Sequence, residues 1–239
     1  KTNVIGSQNV IDGCLHENVE KAIAIGTDKA VSPLNTYGAT KLLMEKLFVS
    51  ANNYVNPKKH LTKFISVRYG NVFGSSGSVV PRFIEQIKKK QKITITDPKM
   101  TRFSITMNEA LDFILSATNS GKGSEIFVPK MRAYNIMDLK DAFYELFENY
   151  GENIIGIRPG EKLHEVLIGD DEIRQSWEFN QMFMITNPLY PLFHVNKINE
   201  SYPNIKKIEN IKNYSSDIAE KISKEELKKM IKDSGLIVP

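Results

Sequence analysis

The sequence has one cysteine, Cys14, among 239 residues, which excludes a disulfide framework and a cysteine-rich metal site. It has no apolar run near the roughly 18 residues needed to cross a bilayer, and its N-terminus lacks the pattern of a signal peptide. We therefore expect a soluble, cytoplasmic protein that works without a metal ion and does not contact a membrane.

A glycine-rich turn is also missing. No G-x-x-G-x-x-G stretch follows any strand-like run, although a dinucleotide site needs such a turn so that backbone N–H groups can approach the pyrophosphate. The chain begins at Lys1 and enters helical periodicity at once. We therefore expect this sequence to be a fragment whose natural chain extends upstream.

The charge balance is only mildly basic. The net charge is +4, and the lysines are scattered or lie on predicted helix faces, as at residues 88–90, without interleaved aromatic residues. Such lysines are typical of solvated surfaces, so we expect no binding to nucleic acid. A hydrophobic content of 41% is enough for a sizeable core.

Short β-branched runs alternate along the chain with amphipathic segments. The runs predict strands at residues 21–26, 63–68, 92–96, 124–128 and 153–157. The amphipathic segments predict helices at residues 3–17, 36–54, 79–90, 107–119 and 136–149. Thr106 and Glu109 form a candidate capping box. This alternation is typical of an α/β fold with a doubly wound, mostly parallel sheet, in which ligands bind beyond the carboxyl ends of the strands.

Five reactive side chains follow the first predicted strand within 16 residues. Thr27, Asp28 and Lys29 come directly after the strand, and Tyr37 and Lys41 are one turn apart on the next predicted helix. A cation beside a phenol favours the phenolate, so Tyr37 could act as a general base. The alternatives are a solvated turn and an ordinary amphipathic helix. Convergence of all five at one strand end favours catalysis.

With these residues, the sequence resembles the extended short-chain dehydrogenase/reductase family, which is marked by a Ser or Thr at the end of a strand followed by Tyr-x-x-x-Lys on a helix. It is most similar to the nucleotide-sugar 4,6-dehydratases of the polysaccharide-biosynthesis type, especially those that dehydrate UDP-N-acetylglucosamine with inversion at C5. The resemblance covers residues 1 to about 168 in the stretches KTNVIGSQNV, TDKAVSPLNTYGATK, RYGNVFGSSGSVVP, DPKMTRF, EIFVPK and IRPGEKLHEVLI.

The resemblance implies roles for the five side chains. Tyr37, assisted by Thr27 and Lys41, takes the proton of the sugar 4-hydroxyl while NAD or NADP accepts hydride from C4. Lys29 then removes the C5 proton, and Asp28 protonates the departing 6-hydroxyl. Tyr37 and Lys41 also contact the cofactor. A simple epimerase needs only the first set, so Asp28 and Lys29 distinguish the two reactions.

The resemblance also implies a UDP-sugar substrate. Arg102 and Arg158 are the candidate diphosphate ligands because a guanidinium matches phosphate geometry. Glu161 is placed to bind the uridine ribose, and Asn71 to bind the sugar or the phosphate. Each arginine could instead form a surface ion pair.

We expect a Rossmann-like fold whose N-terminal cofactor-binding units are missing from this chain. The predicted domains are the C-terminal half of the dinucleotide-binding domain with the catalytic residues (1–72), mixed Rossmann and nucleotide-sugar-binding segments (73–170), and an irregular C-terminal extension that ends in a helix (171–239). We also expect a homo-oligomer. Two alternatives stay open, a UDP-sugar 4-epimerase and a binding module that keeps the nucleotide-sugar site without turnover.

Overall fold

The protein is described here by a computed structural model covering residues 1–56, 58–187, 189 and 198–236. The chain forms two compact units, each assembled from separate segments. The first unit combines Lys1–Tyr69, Leu111–Lys130 and Val166–Tyr214, and the second combines Gly70–Ala110, Met131–Glu165 and Ser215–Pro239. The domain boundaries at residues 72 and 170 stay a prediction.

The helices and strands are numbered in chain order. The α-helices are α1 (Ser7–His16), α2 (Thr36–Ala51), α3 (Val79–Lys88), α4 (Met107–Ser120), α5 (Ile136–Tyr144), α6 (Asp170–Ile173), α7 (Ile198–Ser201) and α8 (Lys224–Asp233). The strands are β1 (Lys21–Ile25), β2 (Lys63–Val67), β3 (Asn71–Val72), β4 (Ile93–Ile95), β5 (Thr101–Ile105), β6 (Ile126–Pro129), β7 (Arg132–Asn135), β8 (Glu152–Ile154), β9 (Val166–Ile168), β10 (Ser176–Phe179), β11 (Met182–Ile185), β12 (Lys206–Lys207) and β13 (Tyr214–Ser215). A π-helical turn spans Thr2–Gly6, and a 3-10 turn spans Asp28–Ala30.

The first unit contains a mixed sheet in the order β1-β2-β6-β11-β10-β12. Strands β1, β2 and β6 are parallel, with Ile23 opposite Ile65 and Ser66 opposite Ile126. Strands β11, β10 and β12 continue the sheet in antiparallel fashion. The α/β class is confirmed. The expectation of an irregular segment after residue 170 is wrong for β10 and β11, which pair with each other and extend the sheet.

Side chains alternate between the two faces of β1 because successive residues of a strand point in opposite directions. Ala22 and Ala24 are buried against α1 and α2 in a cluster with Ile11, Met44, Phe48, Ala51 and Phe64. Ile23, on the other face, packs against a second cluster that includes Ile65, Val67, Phe113, Phe127 and Met184. Ala22 and Ala24 thus pack against the middle and the C-terminal part of α2.

The second unit contains two small sheets. Strand β5 pairs in parallel with β3 and antiparallel with β7, and β4 pairs in parallel with β8. Its core contains Phe83, Ile93, Phe103, Leu139, Phe143, Leu227 and Ile231. Helix α4 begins with the predicted capping box: the Thr106 N–H donates to Glu109 Oε2 at 2.7 Å, and the Glu109 N–H donates to Thr106 Oγ1 at 3.3 Å.

Every predicted strand and helix has a counterpart in the structure. The strand predictions correspond to β1, β2, β4, β6 and β8, and the helix predictions to α1 through α5. Helix α5 ends at Tyr144, earlier than expected, and β8 ends at Ile154. No helix in the part of the chain that the structure describes is long and apolar enough to cross a membrane.

Candidate active site

The turn that follows β1 is held against β2 by Gly26. The Gly26 N–H donates to the Val67 carbonyl oxygen at 2.7 Å. A Cβ at position 26 would lie 2.7 Å from that same oxygen, so any other residue would push the two chain segments apart. Two residues later, the Asp28 N–H donates to the Tyr69 carbonyl oxygen at 3.2 Å. These bonds fix the backbone from which the candidate catalytic side chains project.

Thr27, Asp28 and Lys29 form one hydrogen-bonded group. Asp28 Oδ1 accepts from Thr27 Oγ1 at 2.8 Å and from Lys29 Nζ at 3.0 Å. Asp28 is fully buried, and its second oxygen, Oδ2, has no hydrogen-bond partner among the residues that the structure describes. Buried polar atoms without partners are rare in native proteins and often have a catalytic role or bind water. The carboxylate is therefore held at one oxygen and available for chemistry at the other.

Helix α2 begins directly against this group. Its N-cap residue, Asn35, accepts the Gly38 N–H at its side-chain oxygen with a distance of 2.9 Å, a common way to start a helix. A Cβ at Gly38 would lie 2.4 Å from the Lys29 carbonyl oxygen and 2.9 Å from Pro33 Cβ. Only glycine allows this approach. The contact brings the first turn of α2 against the Asp28–Ala30 turn.

Tyr37 and Lys41 lie on the first two turns of α2. Tyr37 is 53% exposed, and Lys41 is half-buried one helical turn further on. The structure thus brings all five predicted catalytic residues into one unit, with three on the turn after β1 and two at the start of the adjacent helix. A ligand could reach Tyr37 from solvent.

Glu45 is a residue near this group that the sequence did not single out. It lies one turn after Lys41 and is fully buried. Its two carboxylate oxygens accept from Arg68 Nε at 2.9 Å and Arg68 Nη2 at 2.6 Å. In the sequence, its position four residues after Lys41 places Glu45 on the same face of the helix, which was the signal that could have identified it. A glutamate on a helix is usually solvated, however, so the signal is weak.

Arg102, in the second unit, is bound to backbone. Its Nη1 donates to the carbonyl oxygens of Thr101 at 2.7 Å and Leu163 at 3.0 Å, and its Nη2 donates to that of Lys162 at 3.1 Å. Arg102 Nε is also 3.7 Å from Glu165 Oε1. The guanidinium therefore ties β5 to the loop that carries the other candidate substrate residues, and its role as a diphosphate ligand stays a prediction.

Tyr134 faces Arg102 across β5 and β7. Burial raises the pKa of Tyr134 to about 12, although the positive charge of Arg102 acts in the opposite direction. The phenol therefore stays protonated at neutral pH and serves as a packing residue beneath Arg102.

Arg158 and Glu161 share a tight turn. The Glu161 N–H donates to the Arg158 carbonyl oxygen at 3.0 Å, and the Arg158 N–H donates to Glu161 Oε2 at 3.3 Å. Gly160 occupies the turn with a φ of +83°, which suits glycine. Arg158 is exposed, and Asn71 is half-buried in β3 opposite Ser104. Arg158 is thus accessible to a ligand, whereas Arg102 is bound to the protein.

The same loop is fixed at its other end by a hydroxyl cluster. Thr101 Oγ1 lies 2.7 Å from His164 Nδ1 and 2.7 Å from Ser216 Oγ. His164 therefore has a structural role beneath the loop. Within residues 1–56, 58–187, 189 and 198–236, no group of three His, Cys, Asp or Glu side chains is arranged to hold a metal ion.

Comparison with known proteins identifies relatives along most of the chain. Residues 1–187 match the family model described as polysaccharide biosynthesis protein. Over 187 residues the chain is 48% identical to an inverting UDP-N-acetylglucosamine 4,6-dehydratase of Campylobacter jejuni, covering 78% of this chain and 54% of that enzyme. It is 44% identical over 242 residues to an uncharacterized membrane protein of Methanocaldococcus jannaschii, covering 98% and 68% respectively.

A UDP-glucose 4-epimerase of Rickettsia massiliae is 35% identical over 231 residues, covering 96% of this chain and 66% of the epimerase. The chain thus spans about half of the length of the dehydratase and about two thirds of the other two relatives. Named relatives include both a dehydratase and an epimerase.

Solved structures share the fold. Pen from Bacillus thuringiensis superposes with a TM-score of 0.84 at 39% identity, covering 99% of this chain and 68% of that one. A dTDP-glucose 4,6-dehydratase from Bacillus anthracis, solved in complex with NAD, gives a TM-score of 0.58 at 13% identity, covering 66% of this chain and 57% of that one. At that identity the likeness concerns the fold alone.

Proposed function

Because the chain belongs to the polysaccharide biosynthesis protein family, which has the extended short-chain dehydrogenase/reductase fold, we propose that it is the catalytic part of a nucleotide-sugar 4,6-dehydratase. The proposed substrate is UDP-N-acetylglucosamine, and the proposed product is inverted at C5. The observation that carries this proposal is the Asp28–Lys29 pair, with Asp28 buried beside Thr27 on a turn packed against the Tyr37 helix.

A nicotinamide cofactor, NAD or NADP, fits the exposed side of this group. Tyr37 is open to solvent at the carboxyl end of β1, where ligands of parallel sheets bind, and Lys41 follows one turn later. These two residues would contact the nicotinamide ribose. When bound, the cofactor supplies the acceptor for hydride from C4 and the hydride that returns to C6.

Oxidation at C4 requires removal of the hydroxyl proton. Tyr37 acts here as the phenolate, whose negative charge the Lys41 ammonium one turn away stabilises, and it becomes a neutral phenol when it takes the proton. Thr27 Oγ1 donates a hydrogen bond to the same substrate oxygen, in exchange for the bond that it makes to Asp28 Oδ1. The product of this step is a 4-ketone, which acidifies the neighbouring C5 proton.

Loss of water needs one base and one acid. Lys29, as the neutral amine, removes the C5 proton, and Asp28, as the carboxylic acid, gives a proton to the departing 6-hydroxyl. Since Asp28 Oδ1 already accepts two hydrogen bonds, Oδ2 is the oxygen available to carry that proton. Lys29 Nζ lies 3.0 Å from Asp28 Oδ1 and passes the C5 proton to Asp28, so that both groups are reset. Once C6 has received hydride, C5 would take a proton from solvent on the face opposite Lys29, as inversion requires, and Tyr37 would release to solvent the proton that it took from the 4-hydroxyl.

We assign the nucleotide end of the substrate to the residues that the sequence predicts for it. Arg158 is exposed and free of the backbone bonds that hold Arg102, so we assign it to the diphosphate. Glu161 is assigned to the uridine ribose and Asn71 to the sugar or the phosphate. The assignment of Arg102 to the diphosphate needs its guanidinium to exchange at least one backbone bond for the ligand. The homo-oligomer and the cytoplasmic location stay predictions.

The test is product analysis. The full-length protein is incubated with UDP-N-acetylglucosamine and the cofactor, and the product is followed by mass and proton NMR. Loss of one water with a new methyl doublet supports the dehydratase. An unchanged mass with altered ring couplings supports the 4-epimerase, which the likeness to the Rickettsia enzyme keeps as the second candidate. Tight binding of the substrate without any product supports the non-catalytic module.

A further inference from the structure

Arg68 is a fully buried cation at the end of β2. Glu45 accepts two of its hydrogen bonds, at 2.9 and 2.6 Å, and Glu172 accepts two more, at 2.8 and 2.9 Å. A further bond of 2.8 Å joins Arg68 Nη1 to the Leu167 carbonyl oxygen. Burial by itself lowers the pKa of Arg68, but the two carboxylates outweigh this effect and raise it. Arg68 is therefore a permanent positive charge that joins three elements of the first unit.

Glu45 touches both parts of the candidate active site. It belongs to α2, the helix of Tyr37 and Lys41. Its Oε2 also lies 3.4 Å from the position that a Cβ on Gly26 would take, directly before Thr27. Glu172, in contrast, belongs to α6, which carries none of the candidate catalytic residues.

The proposed reaction requires Tyr37 and Thr27 to reach one substrate hydroxyl from two different elements. The Gly38 contact with Lys29 fixes the first turn of α2. Glu45 follows seven residues later, which is about 10 Å along a helix axis at about 1.5 Å per residue. Apolar packing of Met44, Phe48 and Ala51 also holds α2 against the sheet, but such packing is non-directional. The Gly38 contact and the Glu45–Arg68 ion pair are directional, and at this separation they set the direction of the helix axis.

We propose that Glu45 is a positioning residue of this active site: its ion pair with Arg68 holds α2 at the orientation in which Tyr37 meets the substrate oxygen that Thr27 binds. The inference rests on the proposed function for the identity of the reaction. It adds a residue whose effect reaches the substrate through Tyr37.

A merely structural ion pair is the alternative, because buried ion pairs are weak evidence of a functional role. Arg68 binds two carboxylates, and a comparison of variants of the two glutamates distinguishes the positioning role from the structural one. In the full-length protein, Glu45→Gln and Glu172→Gln each remove one negative charge from the same arginine and leave the other carboxylate in place. The two variants make the same chemical change, and only Glu45 lies on a catalytic element. Glu172 is partly exposed, and it also forms an ion pair of 4.0 Å with Lys46 of α2, whose side chain is more than half exposed, so we expect the loss of this contact to matter little.

We expect Glu45→Gln to lower kcat on the order of 10²-fold, the scale set by a misplacement of about 1 Å, while KM for the UDP-sugar stays nearly unchanged. We expect Glu172→Gln to keep both constants near those of the parent. Rates are counted per folded molecule. If Glu45→Gln does not fold, Glu45→Asp replaces it with the same expectation, since it keeps the charge but shortens the side chain by one methylene.

Amide hydrogen exchange supplies a readout that does not depend on activity. Weakening of the ion pair between Glu45 and Arg68 should speed hydrogen exchange at the backbone amides of Asp28, Ala30 and Gly38 in Glu45→Gln. Exchange at the same amides should be unchanged in Glu172→Gln. Equal exchange and equal loss of kcat in the two variants would overturn the inference. An unmodified protein that converts no UDP-sugar would instead overturn the proposed function, and the exchange data would still decide whether Glu45 holds the helix.

Discussion

Gly38 lies so close to Lys29 that a Cβ at position 38 would stand 2.4 Å from the Lys29 carbonyl oxygen. Replacing glycine by alanine within a helix usually stabilises a protein by about 0.5–1 kcal/mol. Here the clash with backbone reverses the sign. We expect Gly38→Ala to lower the urea midpoint of unfolding and to reduce turnover strongly, because α2 must move away from the turn that carries Asp28 and Lys29.

Gly13 supplies the matched control for this substitution. It lies in α1, and a Cβ at position 13 would meet nothing within 4 Å. Gly13→Ala should therefore be neutral or stabilising by up to about 1 kcal/mol, with normal turnover. If the two alanine variants have the same unfolding midpoint and the same kcat, the close approach of Gly38 to Lys29 has no role in the active site.

A second prediction concerns the base for the C5 proton. Lys29→Ala removes the amine that lies 3.0 Å from Asp28 Oδ1. We expect the variant to bind the UDP-sugar and to oxidise C4 in a single turnover, but to release no dehydrated product and to exchange the C5 proton with deuterated solvent at a negligible rate. Tyr37→Phe is the control, since it should block the earlier oxidation as well. Normal C5 exchange in Lys29→Ala would assign the base to another residue.

The spacing of Tyr37 and Lys41 and their place after a strand could be predicted from the sequence, because both are local patterns. The burial of Glu45 could not, because it depends on Arg68, 23 residues away in the chain. The same limit applies to Arg102. Its residue type indicated a phosphate ligand, while its bonds to the carbonyls of Lys162 and Leu163 arise from contacts about 60 residues apart.

The strands β10 and β11 were missed for a different reason. They are joined by Asn180 and Gln181, and Asn180 takes a φ of +53°. Two-residue hairpins are usually recognised by Asn-Gly or Asp-Gly, and this turn has no glycine. The strands themselves, SWEF and MFMI, are four residues long and lack a clear alternation of polar and apolar residues. Strand β11 pairs with β6, and β10 pairs with β11, so the sheet gives both strands their structure.

A third prediction separates the two arginines of the second unit. Arg158 is exposed, so Arg158→Ala should leave the fold intact and raise KM for the UDP-sugar with little change in kcat, as expected for a group that grips ground and transition states equally. Arg102 is 13% exposed in its side chain and binds three backbone carbonyls. Arg102→Ala removes these three hydrogen bonds, two of which join β5 to the loop, and should lower the melting temperature of the protein. A fall in kcat at unchanged KM for Arg158→Ala would instead place this residue at the reacting centre.

The last prediction concerns acid and the second unit. Glu145 follows the end of α5, and its two carboxylate oxygens each lie 2.6 Å from an ammonium of α8, Lys224 Nζ and Lys228 Nζ. The hydrogen bond from Lys224 has the largest effect and that from Lys228 the next, and together they lower the pKa of Glu145 from 4.5 to about 2. A carboxyl whose pKa is lower in the folded state stabilises the protein fully above the unfolded value and loses this contribution as the pH falls through the folded value.

We therefore expect Glu145→Gln to lower the melting temperature at pH 6, and the difference from the parent to shrink as the pH falls from 4.5 toward 2. Because the groups are exposed, about 1 M salt, with a Debye length of about 3 Å, should also reduce the difference. Glu85→Gln is the matched control, since Glu85 of α3 pairs with Lys89, the residue that follows the same helix, four positions along the chain. Its effect on the melting temperature should be smaller at every pH. A Glu145→Gln difference that is independent of pH and salt would mean that the glutamate acts through packing, and that the contact between α5 and α8 does not depend on its charge.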